Sequence, residues 1–131
     1  MRILLFYLLI TPFFSLGQTQ LQMNLKSGDK WESIDHQMTT IYKTILDLYS
    51  DDESFINALK EDQKNWMNLR KSNNELMYPD KKEDYYYGSY HITCKNDFDA
   101  KIIKQRIDFL MQWILGSEEG DVCNGTLKRI E

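Results

Sequence analysis

The stretch WESIDHQMTTIYKTILDL, residues 31–48, decides the fold. Its residues Trp31, Ile34, Met38, Ile41, Ile45 and Leu48 recur in alternating steps of three and four. That spacing places them in one stripe along an α-helix, whereas a strand, with its period of two, would scatter them over both faces. Most of the residues between them, among them Glu32, His36, Gln37, Lys43 and Asp47, are polar. An amphipathic helix of this kind needs a partner to cover its stripe.

The partners follow in the chain. Ser50-Asp51-Asp52-Glu53 has the S-x-x-E form of a capping box, and its acids complement the dipole of a new helix. The second stripe is Phe55, Leu59, Gln63, Trp66, Arg70 and Asn73, flanked by Ile56, Leu69 and Leu76. Pro79 stops it. So short a connection makes the first two helices antiparallel. Residues 78–95, YPDKKEDYYYGSYHITCK, read as a long loop. A third helix is expected from Asn96 or Asp97, either of which can cap. Its apolar face is Phe98, Ile102, Ile103, Ile107, Leu110, Trp113 and Ile114, and Gly116 ends it. Residues 18–29 are polar without clear period and read as a partly ordered lead-in. No strand pattern reaches useful length and no repeat is present. The expected fold is all-α: a three-helix, hairpin-like domain with a long loop before the last helix and a disulfide-tethered C-terminal tail.

Residues 1–17, MRILLFYLLITPFFSLG, hold one Arg, an apolar run from Ile3 to Phe14 and a small-x-small Ser15-Leu16-Gly17. This reads as a signal peptide, leaving 18–131 as a single domain that is periplasmic or secreted. The apolar run falls short of the ~20 residues that span a bilayer, so no stable membrane insertion is expected after cleavage. Cleavage removes Arg2 and no acid, taking the formal net charge from −4 to −5. An acidic chain is a poor match for DNA or RNA, whose binders carry a basic patch. It suits a basic protein partner, and it also keeps a small domain soluble. Cys94 and Cys123 are the two cysteines, and export permits them to pair. With a helix starting near residue 96 between them, residues 95–97 and 117–122 would have to fold back along it. Pairing therefore predicts a tail strapped against that helix, and a bridge between two chains is the alternative.

The loop Tyr85, Tyr86, Tyr87, Gly88, Ser89, Tyr90 and His91 is the candidate partner-binding surface. Tyrosine offers large contact area at low entropic cost, and binding residues concentrate on loops. The competing reading has these rings covering the helix ends. Trp66 and Arg70 lie one helical turn apart, and a buried Trp with Arg laid over it is the favoured reading. Arg106 reads the same way. His36 and His91 read as surface residues, since no H-x-x-x-H or C-x-x-C spacing supplies a metal site. No nucleophile elbow or phosphate loop is present. The expectation is a chain without catalytic residues, metal or cofactor.

Residues 22–42 are similar to an exported-protein pattern, E-M-N-x-C-A followed by A-D-x-x-L-N-x-x-Y, with Met23, Asn24, Asp35, Met38, Thr39 and Tyr42 on its positions. Residues 59–74 resemble its continuation, A-Q-R-x-W-x-x-Y-R-D-x-x-C, with Gln63, Trp66 and Arg70 in place. Gly88-Ser89 and Ile102 to Arg106 resemble its later G-S and L-T-x-x-R elements. The chain thus resembles the LprI-type lysozyme-inhibitor-like family of small secreted helical domains. The resemblance implies Asp35, Tyr42, Gln63, Trp66, Arg70 and Arg106 as a structural signature, and a protein partner such as a basic lysozyme. Lys26 and Asn74 stand where the family has cysteines, and Lys71 replaces its Asp. The usual staple between the first helices is therefore absent, and a Cys94–Cys123 bridge would replace it. The function this implies is inhibition of a lysozyme-like muramidase by protein–protein contact. A structural or adaptor role in the cell envelope, without an enzyme target, is the alternative.

Overall fold

A computed structural model describes the backbone of residues 2–83 and 85–130, and the side chains of residues 19–83 and 85–130. The signal-peptide reading of residues 1–17 falls outside the described side chains. Three helices follow in order: α1 (Arg2–Leu48), α2 (Glu53–Met77) and α3 (His91–Leu115). Cross-helix contacts give their directions. Asp35 meets Arg70 and Met38 meets Gln63, so α2 runs back along α1. Asn24 meets Thr93 and Trp31 meets Asp99, so α3 runs parallel to α1. The domain is an up-down-up bundle, all-α, with a single isolated bridge between Ser117 and Arg129 among the described residues.

The core follows the opening stripe with one shift. Met38, Ile41 and Ile45 of α1 are buried against Phe55 and Leu59 of α2 and Ile103, Ile107 and Leu110 of α3. Leu48, expected to end the stripe, is exposed, and Tyr49 takes its place inside. One turn of helix separates Ile45 from Tyr49, and Tyr49 stacks on Phe55 with ring centroids 4.4 Å apart. Its hydroxyl also donates to the Trp113 carbonyl and accepts from the Lys128 amide, which ties the tail to the bundle.

Several boundaries differ from expectation. The cap of α2 is Asp52, whose carboxylate accepts from the Phe55 amide at 2.9 Å, so Ser50 does not begin a capping box. Residues 19–29 are not a loose lead-in but part of α1. Their period is written in polar residues: Gln20, Asn24 and Ser27 continue the 3–4 spacing up to Trp31. Asn24 accepts from the Thr93 hydroxyl at 2.7 Å and Ser27 from the Asn96 amide at 3.1 Å. The same contacts hold an extra turn at the start of α3, which begins at His91, not near Asn96. The stripe of α2 is also narrower than expected, with Leu69 and Leu76 exposed.

The expected disulfide is not formed: Cys94 and Cys123 are both free and exposed. The early start of α3 explains this. Cys94 lies within the helix, about 32 Å from Leu115 at 1.5 Å per residue. Residues 117–122 reach back only about 20 Å, and a disulfide needs its Cα atoms within about 7 Å. Thiol titration of the folded protein is expected to count both cysteines, and its melting temperature should not respond to reductant.

The tail is held without a bridge. Gly116 ends α3 with φ 73° and ψ −165°. That region is essentially reserved for glycine. A Cβ there would lie 2.4 Å from the Lys128 carbonyl oxygen, because Ser117 and Ile130 pair backbone groups across the gap. Gly116→Ala is expected to cost about 2–3 kcal/mol and release residues 117–130, read as a lower urea midpoint and proteolysis of the tail.

Candidate functional site

Two features stand out: a polar ladder inside the bundle and an aromatic loop at one end of it. Asp99 of α3, 7% exposed, anchors the ladder. Its carboxylate accepts from Arg70 Nη2 at 2.6 Å, from the Trp31 indole at 2.6 Å and from Asn74 Nδ2 at 2.7 Å. Arg70 spans the gap to α1, donating from Nη1 to Asp35 at 2.7 Å. Its guanidinium carbon lies 5.6 Å from the Trp66 ring, and Arg106 lies 5.4 Å from the same ring. Arg106 then donates to Gln63 at 2.8 Å and Asp62 at 2.6 Å. Asp35, Arg70, Trp66, Arg106 and Gln63 thus form one continuous stack between the helices.

Burial alone would push the Asp99 carboxyl up. The hydrogen bonds from Arg70, Trp31 and Asn74, with the Arg70 charge, outweigh it and hold the group below the ordinary carboxylate range. Burial likewise works against the Arg70 charge, but Asp99 and Asp35 leave its affinity for the proton raised. Both guanidiniums are held by acids, Arg70 by Asp35 and Asp99 and Arg106 by Asp62, so the ladder reads as a fastening and not as a reacting centre. Tyr42, the remaining signature residue, is half-buried and packs against the core. Asn74, at a position where a cysteine was expected, donates to the Arg70 carbonyl as well as to Asp99. Lys26, at the other, is exposed. His36 is exposed too, and no group of His, Cys, Asp and Glu that could hold a metal ion occurs among the described residues.

The loop between α2 and α3 divides its tyrosines into two jobs. Tyr87 and His91 face inward: their rings stack at 4.9 Å, and Tyr78 meets both edge-on at 5.4 and 5.1 Å. The Tyr87 hydroxyl donates to the Pro79 carbonyl. Tyr85, Tyr86 and Tyr90 face outward, with exposures of 91%, 59% and 52%. A tight turn makes this possible. Gly88 at φ 78° donates its amide to the Tyr85 carbonyl at 2.9 Å, and Tyr85 itself sits at φ 66°. Gly88 and Ser89 are exposed beside them. The loop frames a cleft of about 420 Å³, also lined by Tyr78, Lys81 and Lys95. The residues expected to bind are therefore brought together, but Tyr87 and His91 serve as anchors. Sequence reasoning missed Tyr78, the ring on which the anchors rest. Its place directly before Pro79, where a helix must stop, was the available signal.

The class of protein is now defined: an up-down-up helical domain, fastened by an Asp–Arg–Trp ladder, that presents an aromatic loop. Residues 15–110, well over half of the chain, match the family described as Lysozyme inhibitor LprI. The chain belongs to that family. No curated protein and no solved structure matches it.

Proposed function

We propose that this chain is an exported, non-catalytic binding domain that inhibits a lysozyme-like muramidase through its aromatic loop. Membership of a family named for lysozyme inhibition supplies the class of target. The observation that carries the reading is the outward display of Tyr85, Tyr86 and Tyr90 on a loop whose base is pinned by Tyr78, Tyr87 and His91. Pre-ordered tyrosines bind at little entropic cost, and aromatic anchors dominate binding energy. The acidic balance of the chain, −4 in full, suits a basic muramidase, because opposite net charges speed encounter. No helix among the described residues is long and apolar enough to cross a membrane.

Size-exclusion chromatography of residues 18–131 with hen-type lysozyme tests the partner class. A one-to-one complex at low salt that dissociates as ionic strength rises is the expected result. Independent elution of the two proteins at micromolar concentration would remove this muramidase from the account.

A further inference from the structure

We infer that Asn124 is a self-modifying site, whose conversion to isoaspartate releases the C-terminal tail from the bundle. This goes beyond the muramidase reading and does not depend on it. Asn124-Gly125 is the only Asn-Gly pair in the chain. Every other asparagine, from Asn24 to Asn96, lies within one of the three helices. There the following amide donates to the carbonyl one turn back and cannot turn upon the side chain. Asn124 stands instead in the tail, half-buried, and opens a turn in which its carbonyl accepts from the Leu127 amide at 2.9 Å. Among the described residues the Gly125 amide has no acceptor, and nothing holds the Asn124 carboxamide. Gly125 is exposed at φ 54°, and the space where a Cβ would sit is empty to 4 Å. Nitrogen and carboxamide, one residue apart, are both free to approach, with no side chain on the glycine to hinder them.

The chemistry needs only water. The Gly125 nitrogen gives its proton to hydroxide and attacks Cγ of Asn124. A C–N bond forms there and the Cγ–Nδ2 bond breaks. The carboxamide nitrogen leaves as ammonia, taking a proton from water. The cyclic imide that remains then adds water. Opening at Cγ gives aspartate, and opening at the main-chain carbonyl of Asn124 gives isoaspartate, in which the chain runs through Cβ and Cγ. Nothing is oxidised or reduced. Isoaspartate lengthens the backbone by one carbon atom, just before the residues that fasten the tail. Thr126 accepts from the Trp113 indole at 3.0 Å, and the Lys128 amide donates to the Tyr49 hydroxyl at 3.0 Å. The Lys128 carbonyl accepts from the Ser117 amide at 2.9 Å. The new carboxylate also joins Glu118, Glu119 and Asp121 in the same tail. The aromatic loop lies at the other end of α3 and is untouched. The modification therefore ages the domain by opening its tail to proteolysis, not by altering its binding loop.

The test stores the folded domain, residues 18–131, at pH 8 and 37 °C, with peptide mass mapping at intervals. Asn124 should convert at least tenfold faster than any helical asparagine, showing the mass gain of an amide turned acid, with ammonia released in equal amount. An isoaspartate-specific methyltransferase should label the product. Converted protein, separated by anion exchange, should lose its tail to a protease at least tenfold faster than the parent. Freshly prepared Asn124→Asp carries the charge without the extra backbone atom and should keep the parent's resistance. Asn124→Ser has no carboxamide, and should neither convert nor lose its tail on storage, folding being read from circular dichroism. The inference is overturned by an Asn124 that stays intact while a free peptide of residues 121–128 converts. Conversion to aspartate alone, or converted protein as resistant as the parent, overturns it too. No muramidase is present in this experiment, so its failure is separable from failure of the loop reading.

Discussion

Asp99→Ala is expected to lower stability by about 3–5 kcal/mol, the cost of breaking a buried ion pair by removing one partner. The substitution leaves the Arg70 guanidinium held by Asp35 alone, and strands the Trp31 indole N–H and one Asn74 amide proton. Chemical denaturation at neutral pH measures it. A loss below about 1 kcal/mol would mean that water replaces the carboxylate at little cost, and that the ladder is not the fastening described above. The same group makes a pH prediction. Its carboxyl titrates lower folded than unfolded, so its contribution is complete above the unfolded pKa of about 3.9. That contribution is lost as pH falls through the still lower folded value. Between pH 5 and 2 the parent should therefore lose more stability than Asp99→Asn, whose side chain does not titrate. Parallel profiles would contradict this.

Tyr85→Ala combined with Tyr86→Ala is expected to weaken partner binding about a hundredfold, or about 3 kcal/mol, with the melting temperature within a degree or two of the parent. Both rings are largely exposed, so their truncation removes little packing. Tyr87→Ala should behave in the opposite way. It deletes the ring stacked on His91 and the hydroxyl bonded to Pro79, loosening the loop and lowering stability before any partner is present. Circular dichroism melts alongside binding isotherms separate the two. A double variant that binds normally would move the contact surface away from the loop.

How much of this was legible in the chain depends on how each residue signals its position. The Trp31–Leu48 stripe was readable because apolar residues at helical spacing seldom arise except on a helix face that is covered. It placed the buried face of α1 at Met38, Ile41 and Ile45, and the short connection after it made α2 antiparallel. Its error at Leu48 is one of phase, since Tyr49 satisfies the interior equally well once its hydroxyl finds Trp113 and Lys128. The Gln20–Asn24–Ser27 continuation was missed because the same period there is carried by side chains that hydrogen-bond across the interface. Asp99 was invisible for a related reason: an acid in a helix normally reads as a solvated face, and only the convergence of Trp31, Arg70 and Asn74 makes it interior. The cysteine pairing failed on one boundary, because moving the start of α3 from Asn96 to His91 puts Cys94 inside a rigid rod. The aromatic loop was recognisable by composition. Which of its rings point outward was not, since that follows from the turn at Tyr85–Gly88 and from Tyr78 beneath it.

Cell-wall lysis by a hen-type or bacterial lysozyme, followed as residues 18–131 are added, tests the central claim most directly. The account predicts that lysis falls to completion near one equivalent of the domain, and that the Tyr85→Ala, Tyr86→Ala variant at the same concentration leaves it running. Undiminished lysis at large excess of a folded parent domain would contradict it.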